Sequence, residues 1–425
     1  MLYSSAIWLY RQGVRIAARH GNVKARNLNA GLNGVWQKLQ RGIGRHDRVV
    51  WIHAASLGEF EQGRPLMERL RREHPEYRIL LTFYSPSGYE VRKNWQGADV
   101  VAYLPFDTKR NVCRFLDIVN PEKAFFVKYE FWPNYLRELR RRDIDTYLIS
   151  GIFRHDQLFF KPYGGFYRNL LRSFKTLYLQ DSGSARLLHE IGYDNTVVAG
   201  DTRFDRVTDI MRGVKPHPLL DRFCGDHDSL KAHAPGDGRP MIFMAGSSWP
   251  QDEEVYADWL RRTPGVKGVI APHEFDVHRL KQLLDFFGDQ AVLLSDAEHD
   301  ASLLDGKKVL IIDCFGLLAS AYSYADVAYV GGAFGAGLHN INEAAVYGIP
   351  VIYGPNHHKF IEAEEMKTLG GGIAVSGKTG FERAANRLLR DEKERTRRGK
   401  WAGEYITSKL GATDRIYSDI FSEKR

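Results

Sequence analysis

Two stretches of the sequence place chemically able side chains where an apolar run gives way to a helical pattern. The first follows Val49-Val50-Trp51-Ile52-His53 and reads Ala54-Ala55-Ser56-Leu57-Gly58-Glu59-Phe60-Glu61-Gln62-Gly63. A carboxylate at the carboxyl end of a strand can take the proton of an attacking hydroxyl, which makes Glu59 a candidate general base. Ser56 can cap the following helix, and Gly58 lets backbone approach a ligand. Ser56-x-x-Glu59 is also the pattern of a capping box, in which the glutamate only closes a helix end. Glu61, one turn on, is the competing acid.

The second stretch follows Val327-Ala328-Tyr329-Val330 and runs from Gly331 through Gly335, Gly337, His339, Asn340 and Asn342 to Glu343. A glycine loop leading from strand to helix can offer a phosphate the amides freed by Gly335 and Gly337 and a helix N-terminus, and Glu343 can accept from ribose hydroxyls. The spacing is not GxGxxG, so a nicotinamide cofactor is disfavoured. Three smaller features accompany it. Ser247 and Ser248 follow the run Met241 to Ala245 and suit a carboxylate or phosphate, or else cap a helix. His273 follows Val269 to Ala271 and can bond a base or sugar, or else sits satisfied in a core. Arg203 can pair with a phosphate, or else with Asp201 or Asp205.

The elements that must position these groups alternate throughout. Strand candidates are Val49–His53, Ile79–Phe83, Val100–Leu104, Ala124–Val127, Thr146–Ser150, Leu177–Gln180 and Thr196–Ala199, then Met241–Ala245, Val269–Ala271, Val292–Ser295, Val309–Asp313, Val327–Val330 and Val351–Tyr353. Apolar runs separated by amphipathic segments predict an α/β chain with parallel sheets covered on both faces. A stretch rich in Pro and Gly at 213–239 is the expected linker between an N-terminal domain, 49–212, and a C-terminal domain, 240–425. Two such doubly wound domains are expected to face a central cleft at the carboxyl ends of their sheets. The last helices, from about Phe381, are candidates for packing back on the N-terminal domain.

With 425 residues, 44% hydrophobic and 26% charged, the chain is an ordinary globular protein. Its net charge of +8 is localised. Residues 1–48 carry nine basic side chains and one acid, Asp47, which leaves 51 of each sign in the other 377 residues. A neutral body argues against a nucleic-acid partner. Wound as a helix, the opening residues set Leu2, Ala6, Leu9, Gly13 and Ile16 against Arg11, Arg15 and Arg19, with Tyr3, Trp8 and Tyr10 nearby. Such a basic amphipathic helix is expected to lie on an anionic membrane surface through residues 1–20. It is too short in apolar length to span. The three cysteines have no metal-binding spacing and read as ordinary buried thiols.

Taken in order, HAASLGEFEQGRPL, YLPFDT, GDTRFDRV, APHE and GGAFGAGLHNINEAAVYGIPVIYGP resemble the 3-deoxy-D-manno-oct-2-ulosonic acid (Kdo) transferases of lipopolysaccharide synthesis, over nearly the whole chain. The resemblance implies the GT-B fold of two Rossmann-like domains. It implies metal-independent, inverting transfer of Kdo from CMP-Kdo to a 6'-hydroxyl of a lipid A precursor, with no cofactor. The implied general base is Glu59, with Ser56 and Gly58 on the acceptor side. The implied donor contacts are Arg203, Ser247, Ser248, His273, Gly335, Gly337, Asn340 and Glu343. The implied place of work is the cytoplasmic face of the bacterial inner membrane, held peripherally. Two departures stand out: Trp249-Pro250-Gln251-Asp252 replaces a His-led segment, and Ala271-Pro272-His273 lacks a basic residue found in many members. From the residues alone, a GT-B transferase or epimerase acting on a UDP-sugar and a non-catalytic membrane-recruited nucleotide-binding protein remain alternatives. The number of Kdo residues added is not encoded in any motif.

Overall fold

The computed structural model describes residues 2–227, 239–335 and 337–422. The chain divides into two compact units, Met1–Arg206 with Leu410–Arg425, and Val207–Lys409.

The first unit is built on a parallel sheet of seven strands: β1 (Arg48–His53), β2 (Tyr77–Phe83), β3 (Val100–Tyr103), β4 (Lys123–Val127), β5 (Asp145–Gly151), β6 (Thr176–Leu179) and β7 (Thr196–Val198). Their spatial order is β3-β2-β1-β4-β5-β6-β7. The order reverses between β1 and β4, so the crevice where such sheets take ligands lies at the ends of those two strands. Strand periodicity divides the core. Trp51, Phe126 and Leu148 pack on one face of the sheet. Val50, Ile52, Phe125 and Tyr147 pack on the other. Both faces are buried, which is why these strands read as unbroken apolar runs.

The basic N-terminal segment forms two helices, α1 (Leu2–Arg19) and α2 (Val23–Gly42). Only α1 has the character of an appended arm. Asn22 caps α2 by accepting from the Ala25 amide at 2.9 Å, and Leu28, Val35 and Leu39 of α2 are buried. At Gly31 the helix approaches β3 so closely that a Cβ would stand 2.3 Å from the Tyr103 ring. On α1, the Tyr3 hydroxyl donates to Asp107 at 2.7 Å. The Tyr10 ring lies 6.2 Å from Tyr84 and 6.0 Å from Phe106. Asp107 also accepts the amides of Asn134 and Tyr135, each at 3.1 Å, so one buried carboxylate fastens α1 to the body of the unit.

The first unit is completed by the C-terminal helix Ala412–Phe421, whose Ile416 and Tyr417 join the core on one face of the sheet. Asp205 accepts from the amides of Gly411 and Thr413 at 2.8 and 2.7 Å and caps this helix.

The second unit repeats the plan with β8 (Met241–Ser248), β9 (Val266–Pro272), β10 (Ala291–Leu293), β11 (Val309–Ile311), β12 (Val327–Val330), β13 (Val351–Tyr353) and β14 (Gly372–Ala374), all parallel, in the order β10-β11-β9-β8-β12-β13-β14. Two details differ from the sequence pattern. β10 stops at Leu293 because a helix begins at Leu294, and β14 has only Gly-Ile-Ala, too short to announce itself. Within the expected linker 213–239, Pro218–Cys224 is a helix with Leu220 and Phe223 buried, and residues 228–238 lie outside the described residues. The cysteines are free; only Cys224 is buried, its thiol pushed up to about 12 by burial, while Cys113 and Cys314 are exposed, against the expectation of three buried thiols. Among the described residues no helix is long and apolar enough to cross a membrane.

Candidate active-site residues of the two units

β1 delivers a polar cluster at its carboxyl end. The buried His53 ring places Nδ1 3.1 Å from the Thr82 carbonyl, while Nε2 receives the Trp132 indole N–H at 3.0 Å. Glu130 Oε2 also lies 3.3 Å from Nε2 and Thr82 Oγ1 2.9 Å from Nδ1, so both ring nitrogens are engaged. Trp132 shares its N–H with Glu130 at 2.7 Å, and its ring lies 4.7 Å from Tyr84, which also meets Tyr10 of α1. An aromatic path thus joins the N-terminal helix to the ends of β1 and β4.

Glu59 stands in the first turn of α3 (Leu57–Glu73), where the helix dipole favours a carboxylate. It is not a capping glutamate of the usual kind. Ser56 is the N-cap residue, yet its side chain accepts no backbone N–H; its hydroxyl donates to the Glu59 carboxylate instead. Gly58 is exposed, and a Cβ there would meet nothing nearer than Ser56 Oγ at 3.7 Å, so the approach to this turn is open. Glu61 is different in kind. Arg92, Arg206 and Arg64 surround its carboxylate at 3.1, 3.4 and 3.8 Å, which makes it an ion-pair hub.

Tyr129 reports which charges share this end of the sheet. Burial raises its hydroxyl above the ordinary value, Arg154 and Arg203 oppose, and Glu59 and Asp181 add to the rise. Arg203 is held by Asp201, with Nη2 at 2.7 Å and Nε at 2.8 Å from Oδ2. Burial of Asp201 disfavours its charge, but Arg203 beside it holds its carboxyl below the usual range. Of the two acids considered as partners, Asp201 is the one that pairs, and Asp205 serves as a helix cap.

In the second unit the ends of β8, β9 and β12 bring together Ser247, His273 and the glycine loop. Ser247 adopts φ +51°, in the left-handed region, beside a register shift in the pairing of β8 with β9. Ser248 is buried; its hydroxyl donates to Glu253 at 2.9 Å and accepts from Tyr256 at 3.0 Å, so it is spent inside the unit. Neither serine caps a helix. Trp249 is the N-cap of the helix Pro250–Arg262.

Trp249 also meets the loop. Its ring stacks on exposed His273 at 4.6 Å, His273 stacks on His339 at 4.4 Å, and the indole N–H donates to His339 Nε2 at 3.0 Å. Burial, with the neighbouring His273, lowers the His339 pKa to about 4. The ring is therefore neutral, with its proton on Nδ1. The sign is that of a base whose folded pKa is depressed: its contribution to stability is complete above about 6.5 and is lost as the pH falls toward 4. In Trp249→Ala the stack opens, and nitrogen-detected NMR should show His339 titrating closer to its ordinary value, with both ring tautomers populated. An unchanged titration would show that the indole does not set the state of this imidazole.

The loop itself is tied down by Asp252, a fully buried carboxylate. Asp252 accepts the amides of Trp249 and Gly332, both at 2.9 Å, and the Tyr329 hydroxyl at 2.8 Å. Gly332 has φ +95°, and a Cβ would lie 2.2 Å from the Gly337 carbonyl, so only glycine fits. The amides of Gly335 and Gly337 donate to the Gly332 carbonyl at 3.0 and 3.1 Å. The two amides expected to face a phosphate are turned into the loop. The helix that follows is one turn, Asn342–Ala345, too short for a developed dipole. Asn340 donates to Glu343 at 3.1 Å, so these two form one polar unit.

The polar groups to which sequence reasoning gave no role are Tyr129, Glu130, Trp132, Trp249 and Asp252, the last two quoted only as a departure from the family pattern. The first three had a signal. Lys128-Tyr129-Glu130-Phe131-Trp132 follows β4 just as the Glu59 turn follows β1, and these strands are neighbours. Among the described residues one group has metal-ligand chemistry, His357, His358 and Glu364, with ligand atoms within 4.8 Å of one another. The Lys367 ammonium lies 3.2 Å from His357 Nε2 and 3.6 Å from Glu364, where it meets the charge that a cation would need.

Comparison with known proteins agrees with this architecture. Residues 22–206 match the family model described as 3-deoxy-D-manno-octulosonic-acid transferase (kdotransferase). The 3-deoxy-D-manno-octulosonic acid transferase of Aquifex aeolicus is 26% identical over 357 residues, covering 81% of this chain and 87% of that protein. The one of Haemophilus influenzae is 26% identical over 379 residues, covering 86% and 85%. Among solved structures, UDP-GlcNAc 2-epimerase from Neisseria meningitidis superposes with TM-score 0.59 at 13% identity, covering 88% of this chain and 100% of that one, and shares its GT-B fold.

Proposed function

We propose that the chain is a glycosyltransferase of the Kdo transferase family and that it moves Kdo from CMP-Kdo to a hydroxyl of a lipid A precursor by single displacement with Glu59 as general base. The observation that carries this reading is the contrast between the two acids of α3: Glu61 is neutralised by three guanidinium groups, whereas Glu59 meets a hydroxyl, Ser56 Oγ. The acceptor hydroxyl would take the place of Ser56 Oγ, give its proton to Glu59 and attack the anomeric carbon. CMP leaves with the bonding electrons from the face opposite the attack, so the configuration inverts.

The second unit carries the donor in this reading. Ser247, His273, the neutral N–H of His339 and the Asn340–Glu343 pair supply neutral donors and acceptors for a nucleotide sugar, and Gly335 and Gly337 shape the loop beneath it without offering their amides. Arg203, held by Asp201, is the cation this reading assigns to the phosphate, with no metal or cofactor. Trp8, Leu9 and Ile16 of α1 are 58%, 63% and 55% exposed beside its arginines, as a helix lying at a membrane surface requires. In this reading the enzyme works as a peripheral protein at the cytoplasmic face of the inner membrane, and nucleic acid is not a partner.

The test is mass spectrometry of the product formed from CMP-Kdo and a lipid A precursor, with calorimetric titration of CMP and UDP alongside. Addition of one or more Kdo units and preference for CMP are expected. No mass change with CMP-Kdo, together with tighter binding of UDP, would replace this reading by a UDP-sugar enzyme of the same fold.

A further inference from the structure

The hairpin of α1 and α2 bears an open groove of about 640 Å3 whose polar lining is Arg15, Arg19, Arg26, Asn29 and Asn33. Arg15, Asn29 and Asn33 are shared with an adjoining cavity of about 210 Å3, which adds Arg11 and Asn111. Two stripes build this lining. Arg11, Arg15 and Arg19 recur every four residues on α1, and Arg26, Asn29 and Asn33 fall at i, i+3 and i+7 on α2.

No acid answers these charges from either helix, because none occurs before Asp47. Asp47 turns to the Gly44 amide at 2.7 Å and to Arg78 at 3.6 Å. Asp107, beside the smaller cavity, is filled by Tyr3 and two backbone amides. Four guanidinium groups gathered without a counter-charge repel one another, and asparagine is an unfavourable helix-interior residue, so neither feature serves the hairpin alone. Both serve an anion that accepts forked N–H bonds from arginine and further bonds from carboxamides, which is the chemistry of phosphate. The volume exceeds what a bare phosphate needs and falls in the range of small-molecule sites. Exposed Ile16 on α1 and Val23 at the start of α2 adjoin it in sequence and offer apolar surface.

We propose that this hairpin groove is a discrete site for the phosphate of a phosphorylated lipid headgroup lying in the bilayer. The proposal rests on the reading of α1 as an interfacial helix. It goes beyond diffuse attraction of a basic helix, because it assigns binding to particular side chains on α2, including uncharged ones.

Full-length protein is titrated with phosphatidylcholine vesicles containing phosphatidic acid, and binding is read by co-sedimentation. Asn29→Ala changes no charge and raises helix propensity, so it should leave folding intact yet weaken binding a few-fold. Arg26→Gln should weaken it at least about tenfold, the effect of removing a charge-assisted hydrogen bond. Lys24→Gln removes the same charge from the same helix at a residue that does not line the cavity, and should cost no more than about fivefold, the diffuse contribution of one basic residue. Equal losses for Arg26→Gln and Lys24→Gln, with none for Asn29→Ala, would overturn the site in favour of diffuse attraction. Displacement of vesicles by inorganic phosphate at comparable concentration would overturn the lipid source in favour of a soluble anion. Kdo transfer by the unmodified protein is measured on the same preparation. Selective vesicle binding without transfer would leave the site standing and defeat the catalytic reading.

Discussion

Replacing Glu59 by glutamine is expected to lower Kdo transfer by about 10² to 10⁴, the range associated with loss of a positioned general base, while calorimetry shows CMP bound as before. Glutamine is the informative substitution because it separates the two roles open to this residue. A capping box accepts Glu or Gln alike, so a structural Glu59 would survive the exchange. A base would not, since a carboxamide has no lone pair basic enough to take the hydroxyl proton. The Ser56 hydroxyl donates to this carboxylate in place of the backbone bond a capping serine would accept, which already disfavours the structural role. Glu61→Gln should behave differently: it takes the acid from Arg92 and leaves Arg64 and Arg206 to Glu68 alone, so it lowers thermal stability more than turnover. Transfer by Glu59→Gln within about tenfold of the unmodified rate would end the assignment, because that is less than a positioned base supplies.

How far such roles can be read from sequence depends on whether the deciding interaction is local. Strands were legible because a sheet buried on both faces needs unbroken apolar runs, as in Val49 to His53 and Val327 to Val330. The division of the N-terminal 48 residues was less legible, because the count of basic side chains hid the stripe Leu28, Val35 and Leu39 that draws α2 into the core. At the glycine loop the residue types signalled backbone freedom correctly, but composition does not say where an amide points. The positive φ of Gly332 aims its carbonyl at the amides of Gly335 and Gly337, and that closure exists only in three dimensions. Ser247 and Ser248 were indistinguishable as letters. In the fold Ser247 takes a left-handed backbone and the Ser248 hydroxyl joins the Glu253–Tyr256 network. Trp249 and His339 are 90 positions apart, and nothing in either neighbourhood announces their hydrogen bond.

Asp252 is the extreme case of a residue whose weight comes from partners that sequence does not display, and Asp252→Ala is expected to cost the second unit about 3 to 5 kcal/mol. The carboxylate satisfies three donors at once: the Trp249 amide that starts the helix Pro250–Arg262, the Gly332 amide of the loop and the Tyr329 hydroxyl of β12. Truncation leaves all three without a partner in a region where Asp252 itself is fully buried, and such orphaned donors retain their desolvation cost. For a unit of this size the melting temperature should fall by about 10 °C, read by calorimetry. The effect should not be confined to stability. With Gly332 released, the turn that collects Gly335 and Gly337 has no anchor, so CMP affinity should fall at least about tenfold at temperatures where the variant is still folded, which is the worth of one charge-assisted hydrogen bond supporting the loop. Asp252→Asn keeps a single acceptor oxygen and turns an N–H toward donors, so it should recover only part of either loss. A variant that melts early yet binds CMP normally would separate the two, and would mean that the glycine loop keeps its shape without the carboxylate and holds the nucleotide by other groups.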